Sequence, residues 1–153
     1  MRIGIISDTH GFLDSKIPGL FSGVNHILHA GDIGPDALIA ELEAVAPVTA
    51  VCGNTDSSPT FGPTASIALA GRKFLVHHIV SPHELKEELR LRIARERTDV
   101  VVFGHTHQQF WRMMDGVWFF NPGYAGKPKS GAERSVAVLH CDGTEIRPEF
   151  LPL

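Results

Sequence analysis

Acidic, amide and imidazole side chains stand directly after five short apolar runs of this 153-residue sequence. They are Asp8 and His10, Asp32, Asn54, His77 with His78, and His105 with His107. Burying a carboxylate without a partner costs several kcal/mol, so each acid requires a cation or hydrogen-bond donors nearby. A mixed set of oxygen and nitrogen donors without thiolate suits Mn²⁺, Fe²⁺, Zn²⁺, Co²⁺ or Ni²⁺. The set is too large for one tetrahedral ion and favours two ions that share a carboxylate.

Spacing and glycine placement distinguish this set from isolated polar residues. A single aspartate or histidine at a strand end is usually a cap or a surface residue. Here the ordered series D-x-H, G-D, G-N, H and G-H-x-H closes successive apolar runs. The i, i+2 spacing places both side chains on one face of an extended chain. Gly31, Gly53 and Gly104 each precede a candidate ligand, where a sharp turn or a close backbone approach is needed.

The elements that must position these residues alternate in type along the first part of the chain. Apolar runs predict strands at 2–7, 24–32 and 47–54, with helices at 15–21 and 35–45 between them. This β-α-β-α-β order favours parallel strands joined by helical crossovers. The carboxyl ends of parallel strands meet at one edge of a sheet, where such folds bind ligands. We therefore expect the polar residues to converge there.

The rest of the chain combines one helix with antiparallel strands. Hairpins are predicted over 65–78, 109–123 and 135–150, the last two around Asp-Gly pairs. The segment 81–98 predicts a helix with Ser81 as its N-cap, and a strand follows over 99–108. The expected fold class is α/β, with the strands arranged as two sheets.

Composition limits the class of protein. With 43% apolar and 20% charged residues the chain can bury a core, and its length predicts a single domain over residues 1–153. The formal charge of −3 argues against a dedicated nucleic-acid surface, which needs a basic stripe. Cys52 and Cys141 show no pairing motif and are typical of reduced thiols in the cytoplasm. No leader and no apolar run of about 18 residues is visible, so no membrane contact is expected.

Six short motifs resemble, in order, those of the calcineurin-like metallophosphoesterases. They are "SDTHG", "HAGDI", "CGNTD", "FLVHH", "FGHTH" and "NPG". The chain is most similar to the small bacterial and archaeal phosphodiesterase family, the group that also includes the retromer scaffold subunit. The resemblance runs from Ile3 to about Val138. It implies a two-sheet α/β/β/α sandwich of the metallophosphoesterase type.

The resemblance also implies a role for each ligand. Asp8, His10, Asp32 and His107 would hold one divalent metal ion. Asp32 would bridge to a second ion, which is also held by Asn54, His77 and His105. Manganese is the expected metal, with iron, nickel, zinc and cobalt as alternatives.

The implied reaction is hydrolysis of a small phosphodiester. A hydroxide that bridges the metals would attack phosphorus in line, with Asp8, Asp32, Asn54 and His105 as catalytic residues. Alternatives on the same fold are a phosphomonoesterase, a protein phosphatase, a nuclease or a non-catalytic scaffold that docks proteins. The aromatic residues of the 109–123 segment belong either to the core or to a dimer surface, so monomer and homo-oligomer both stay open.

The sequence departs from the larger family members after the G-N motif. Those members carry a histidine that is thought to protonate the leaving group or bind phosphate, whereas this chain has Thr55. Threonine cannot act as a general acid near neutral pH, so good leaving groups are favoured unless His78 or His83 supplies the proton. The alternative for His83 is a solvated residue in a first helical turn. Asp56 is expected to orient Asn54 or a ligand histidine.

The segment after the N-P-G motif offers further contacts near the substrate. The resemblance implies that Asn121 and Gly123 shape a loop there. Tyr124 replaces the usual serine and either packs or stacks on a base. Three basic residues follow: Lys127, Lys129 and Arg134. They either clamp a phosphate or belong to a solvated loop.

Overall fold

Two five-stranded sheets form the fold in a computed structural model that describes residues 1–153. The first sheet contains β1 (Arg2–Ile6), β2 (His26–His29), β3 (Val48–Ala50), β9 (Ser135–Asp142) and β10 (Glu145–Pro152). Their order across the sheet is β10-β9-β1-β2-β3. Strands β1, β2 and β3 are parallel, whereas β9 runs antiparallel to both β1 and β10. Two neighbouring parallel strands therefore end beside each other after residues 6 and 29.

The second sheet is also mixed. It contains β4 (Thr64–Leu69), β5 (Arg72–His77), β6 (Val100–Val102), β7 (Gln109–Met114) and β8 (Val117–Pro122). Their order is β4-β5-β6-β8-β7, with β5, β6 and β8 parallel and both edge strands antiparallel to their neighbours. The turn between β7 and β8 has left-handed backbone at Asp115 (φ 50°) and Gly116 (φ 79°), as an Asp-Gly hairpin requires.

Three helices complete the chain, and each lies in a crossover between parallel strands. They are α1 (Ile17–Leu20), α2 (Ala37–Glu43) and α3 (Glu87–Glu96). Helix α1 joins β1 to β2, α2 joins β2 to β3, and α3 joins β5 to β6. The predicted α/β two-sheet architecture is confirmed. None of the helices combines the length and the apolar composition needed to cross a membrane.

The predicted start of the third helix is wrong. Residues 81–84 form a separate turn, in which the Glu84 amide donates to the Ser81 carbonyl at 3.0 Å. Lys86 then adopts extended backbone (φ −58°, ψ 140°) and is the N-cap of α3. The helix ends at Arg97, whose left-handed φ of 53° stops further helical turns. The capping pattern at Ser81 therefore marks a turn that the helix does not continue.

The main core lies between the sheets. Ile5 and Leu139 of the first sheet face Val102 and Phe120 of the second, and all four are fully buried. The rings of Phe120 on β8 and Phe150 on β10 meet edge to face, with centroids 5.6 Å apart. Trp111 and Trp118 stack on each other at 4.2 Å and pack against the same cluster. The aromatic residues of the β7–β8 hairpin therefore join the core.

We predict that Phe120→Ala lowers the free energy of unfolding by about 3–5 kcal/mol, because it opens a cavity between the sheets. The measurement is urea denaturation followed by circular dichroism. Met113→Ala, on the adjacent strand with 53% of its surface exposed, is the matched control. It should change stability by less than about 0.5 kcal/mol. Equal effects of the two substitutions would contradict this description of the core.

Candidate metal centre

The candidate ligands lie where strands of both sheets end. Asp8 follows β1 and Asp32 follows β2, and the loops that carry them are hydrogen-bonded to each other. The Asp8 amide donates to the Gly31 carbonyl at 3.0 Å, and the His10 amide donates to the Asp32 carbonyl at 2.9 Å. The second sheet reaches the same point, because the His105 amide donates to Asp8 Oδ2 at 3.1 Å. The site therefore spans the two sheets.

Backbone strain is concentrated at this edge. Five residues have left-handed backbone there: Asp8 (φ 57°), His10 (φ 46°), Asp32 (φ 52°), His105 (φ 68°) and His107 (φ 58°). Each such residue other than glycine costs of order 1–3 kcal/mol and persists only where the surrounding structure imposes it. All five are predicted ligands. The fold thus holds strained backbone where it turns ligand side chains toward one another.

The first group of ligand atoms surrounds Asp8. His107 Nε2 lies 3.2 Å from Asp8 Oδ1, and His10 Nε2 lies 4.0 Å from the same oxygen. The ligand atoms of these three residues all lie within 4.8 Å of one another. Asp8 Oδ1 is buried and receives no hydrogen bond. A buried carboxylate oxygen without a donor, facing two imidazole nitrogens, fits a divalent cation.

The second group is centred on Asp32. His78 Nε2 lies 3.3 Å from Asp32 Oδ2 and 3.1 Å from Asn54 Oδ1. Asp32 Oδ2 also lies 3.7 Å from His10 Nε2, so one oxygen faces an imidazole of each group. The His105 ring stands edge-on to the His78 ring, with centroids 5.4 Å apart. This arrangement suits a carboxylate shared between two ions.

In this structure His77, which is predicted as a ligand of the second ion, does not face Asp32 or Asn54. His77 Nδ1 lies 2.8 Å from the Thr64 hydroxyl on the neighbouring strand β4. His78 reaches Asp32 and Asn54 instead, because consecutive residues at a strand end point in opposite directions. His78 Nδ1 lies 2.7 Å from the Ala30 carbonyl, and an N–H there leaves the lone pair of Nε2 facing Asp32. His78 is therefore a candidate ligand rather than a proton donor.

Asp56 and Thr55 position the second group of ligands through hydrogen bonds. The Asp56 carboxylate accepts the amides of Ile33 at 3.0 Å, Gly34 at 2.9 Å and Gly53 at 2.8 Å, so it fixes the loop that follows each of two strands. The Thr55 amide donates to Asp32 Oδ1 at 2.9 Å. Burial alone would raise the pKa of Asp32, but the Thr55 hydrogen bonds and the nearby imidazoles hold it below its usual value. Asp32 is thus an anion ready to bind cations.

Asn121 organises the loop that carries His105 and His107. Its fully buried side chain donates to the Gly104 carbonyl at 2.9 Å and lies 3.1 Å from the Thr106 hydroxyl. Its Oδ1 accepts the Gly123 amide at 2.9 Å. Asn121 and Gly123 therefore shape the ligand loop itself. His83 is exposed, lies with its ring edge toward Phe110, and makes no contact with the ligands.

His29 and Thr9, which stand inside the motifs "HAGDI" and "SDTHG", are buried supporting residues. His29 is fully buried, and its Nδ1 accepts the Gly31 amide at 3.2 Å. Its Nε2 lies 3.0 Å from the Thr9 hydroxyl, which donates to the Ile33 carbonyl at 2.9 Å. Burial lowers the pKa of His29 to about 3, so the ring is neutral at neutral pH. Together the two residues tie the loop after β1 to the loop after β2.

Comparison with known proteins agrees with this geometry. Residues 1–144 match the family profile of the calcineurin-like phosphoesterase superfamily domain, and the chain belongs to this superfamily. A probable metallophosphoesterase of Methanothermobacter thermautotrophicus is 36% identical, over 99% of this chain and 92% of that protein. Phosphodiesterase YfcE of Escherichia coli is 31% identical, over 93% of this chain and 89% of its own length. Both relatives match along nearly their whole length.

A solved structure of a more distant protein shares this fold. A mutant of Vps29 from Entamoeba histolytica superimposes with a TM-score of 0.78, covering 100% of this chain and 99% of that one. The two sequences are 20% identical, so this likeness concerns the fold alone.

We predict that His78→Ala weakens divalent metal binding by at least about tenfold, whereas the adjacent His77→Ala leaves it unchanged. The reason is that only His78 faces Asp32 and Asn54. The measurement is manganese titration by isothermal calorimetry. Loss of affinity in His77→Ala with full retention in His78→Ala would restore the sequence-based assignment.

We predict that lowering the pH from about 7 to about 5 destabilises the wild type more than the His29→Gln variant. The free energy of unfolding should fall by about 2 kcal/mol more in the wild type over this range. The pKa of His29 is about 3 in the folded chain and 6.5 ordinarily, so below 6.5 only the unfolded chain binds this proton. Stability is therefore lost as the pH falls through that window. Burial also lowers the pKa of His26, His77 and His107, so only the difference between the two proteins isolates His29.

The measurement is urea denaturation of the metal-free proteins at several pH values. His29→Gln is less stable throughout but stays neutral at this position. Parallel pH profiles of the two proteins would show that His29 titrates normally in the folded chain.

Proposed function

We propose that this protein is a two-metal-dependent phosphodiesterase. The observation that carries the proposal is the position of Asp32 Oδ2, which lies between His10 of the first ligand group and His78 of the second. Membership of the calcineurin-like phosphoesterases supports metal-dependent cleavage of phosphoric esters. The name of the relative YfcE supports a diester as substrate.

Two sets of ligands would share the central carboxylate. Asp8, His10, Asp32 and His107 would hold the first ion, and Asp32, Asn54, His78 and His105 the second. Manganese is our first choice, and iron, nickel, zinc and cobalt accept the same donors. Two such ions supply a water of lowered pKa and bind the phosphoryl oxygens.

The residues of the chain orient this chemistry. Thr55, through its amide, and Ser7, through its hydroxyl at 2.6 Å from Asp8 Oδ2, hold one oxygen of each carboxylate and leave the other for a cation. Asn54 adds a neutral oxygen and therefore no further negative charge. The Thr55 side chain cannot deliver a proton to the leaving group, so esters of acidic alcohols are the preferred substrates.

The surroundings of the site suit a small or flexible diester. His10, Asn54 and His105 are exposed, so the candidate ligands are accessible from solvent. The formal charge of −3 favours a small substrate over a nucleic acid. Both cysteines are free thiols, which supports a cytoplasmic location.

A protein-docking scaffold is the second candidate, because Vps29 shares the fold. Such a scaffold would bind metal ions but hydrolyse no phosphate ester. A phosphomonoesterase would instead hydrolyse a chromogenic monoester faster than a chromogenic diester.

We predict that the manganese-loaded protein hydrolyses bis(p-nitrophenyl) phosphate faster than p-nitrophenyl phosphate, and that chelation abolishes both activities. Asp32→Asn should lose at least about 100-fold in kcat/KM, since it removes the shared anion. His77→Ala is the control and should keep wild-type activity. The readout is release of p-nitrophenol.

Two results would contradict this function. The first is that the metal-loaded wild type turns over neither substrate, which would favour the scaffold. The second is that Asp32→Asn remains as active as the wild type.

A further inference from the structure

Of the three basic residues that follow β8, the structure brings only Lys129 to the ligands. Lys129 Nζ lies 3.4 Å from His107 Nδ1. The Arg134 guanidinium instead pairs with Asp14 at 2.8 Å and donates to the Gly126 carbonyl at 2.7 Å. The Lys127 side chain is exposed and makes no ion pair or side-chain hydrogen bond. The loop therefore presents one free cation to the site.

Tyr124 positions that cation. Lys129 Nζ lies 4.2 Å from the centroid of the Tyr124 ring, within the range of a cation–π contact. The same ring stacks on the His107 ring, with centroids 4.6 Å apart and an angle of 29° between the planes. Tyr124 is only 5% exposed, and its hydroxyl donates to the Lys127 carbonyl at 3.2 Å. A fixed aromatic ring thus holds the ammonium group beside His107.

Once a metal ion is bound at His107 Nε2, His107 and Lys129 together would require an acceptor. His107 turns Nε2 toward Asp8 at 3.2 Å, and a neutral imidazole that binds a metal through Nε2 carries its proton on Nδ1. Nδ1–H and the Lys129 ammonium are then two donors side by side, and neither can satisfy the other. Lys129 belongs to none of the ion pairs of the chain. An anionic oxygen would accept from both donors.

We propose that Lys129 and the Nδ1 edge of His107 bind a second acidic group of the substrate, beside the phosphate that is cleaved. This inference rests on the proposed function and narrows its substrate class to phosphate esters that carry another phosphate or a carboxylate. Nδ1 lies across the imidazole ring from Nε2, so a group bound there is separate from one bound at the carboxylates. The subsite determines which phosphate esters bind, and it takes no part in the cleavage at the metal centre.

A cavity beside His107 can accommodate the remainder of such a substrate. A polar cavity of about 460 Å³ adjoins His107, between the loop at Thr106 and the segment at Glu133. The Glu133 carboxylate on its wall repels anions, so the cavity itself suits neutral polar atoms of the substrate. The acidic group is therefore confined to the side of His107 where Lys129 lies.

The test compares two probes of similar size, ethyl phosphate and phosphoglycolate, which differ in one carboxylate. Their affinities for the manganese-loaded protein are measured by isothermal titration calorimetry, with the metal content checked after each titration. We expect the wild type to prefer phosphoglycolate by roughly tenfold, as one charge-assisted hydrogen bond provides. Lys129→Gln should lose this preference and keep its affinity for ethyl phosphate, whereas Lys129→Arg should retain the preference. Lys127→Gln, on the same loop, is the matched control and should match the wild type.

The outcomes separate this inference from the proposed function. If the wild type binds ethyl phosphate but gains nothing from the carboxylate, the subsite is refuted and the phosphoesterase proposal stands. If Lys129→Gln keeps the full preference, another group binds the carboxylate and the assignment is wrong. If neither probe binds the metal-loaded wild type, the subsite is refuted, and hydrolysis of bis(p-nitrophenyl) phosphate decides the proposed function separately.

Discussion

Two buried carboxylates, Asp8 and Asp32, lie at the ends of neighbouring parallel strands. Their negative charges are close together and away from water, and the surrounding residues must stabilise them. The ligand atoms of Asp8, Asp32 and His78 all lie within 4.8 Å of one another. Protein donors hold one oxygen of each acid, from the Ser7 hydroxyl and from the amides of His105 and Thr55. The other two oxygens face imidazole nitrogens. Like charges this close and this buried persist only where cations offset them, which is what a pair of metal ions does.

Bringing these side chains together requires strained backbone conformations. Ligands such as Asp8 and His107 have left-handed conformations that a free chain would avoid. Supporting side chains hold the loops at this edge: the half-buried Asp56 fixes two of them, and the buried Asn121 fixes a third. The two sheets share the core around Phe120, so loops from both are held on one rigid frame. Precision at the centre therefore depends on packing far from it.

Sequence alone predicted the architecture well, because apolar runs, crossover helices and Asp-Gly turns are local signals. It also indicated which strand ends bring candidate ligands together. It assigned His77 rather than His78 as a ligand, since two adjacent histidines are chemically identical and only the residue at which β5 ends determines which one faces Asp32. Nor could it separate Lys129 from Arg134, because the pairing of Arg134 with Asp14 joins residues 120 positions apart. Such choices depend on three-dimensional register, which composition and spacing do not contain.

The central claim is that one shared carboxylate holds two metal ions at the junction of the sheets. A crystal structure of the manganese-loaded protein, with anomalous diffraction recorded at the manganese edge, tests it most directly. We predict two anomalous peaks per chain, both bonded to Asp32, with His78 Nε2 bonded to one of them and His77 to neither. A single peak, two ions without Asp32 between them, or an ion bonded to His77 would contradict the account.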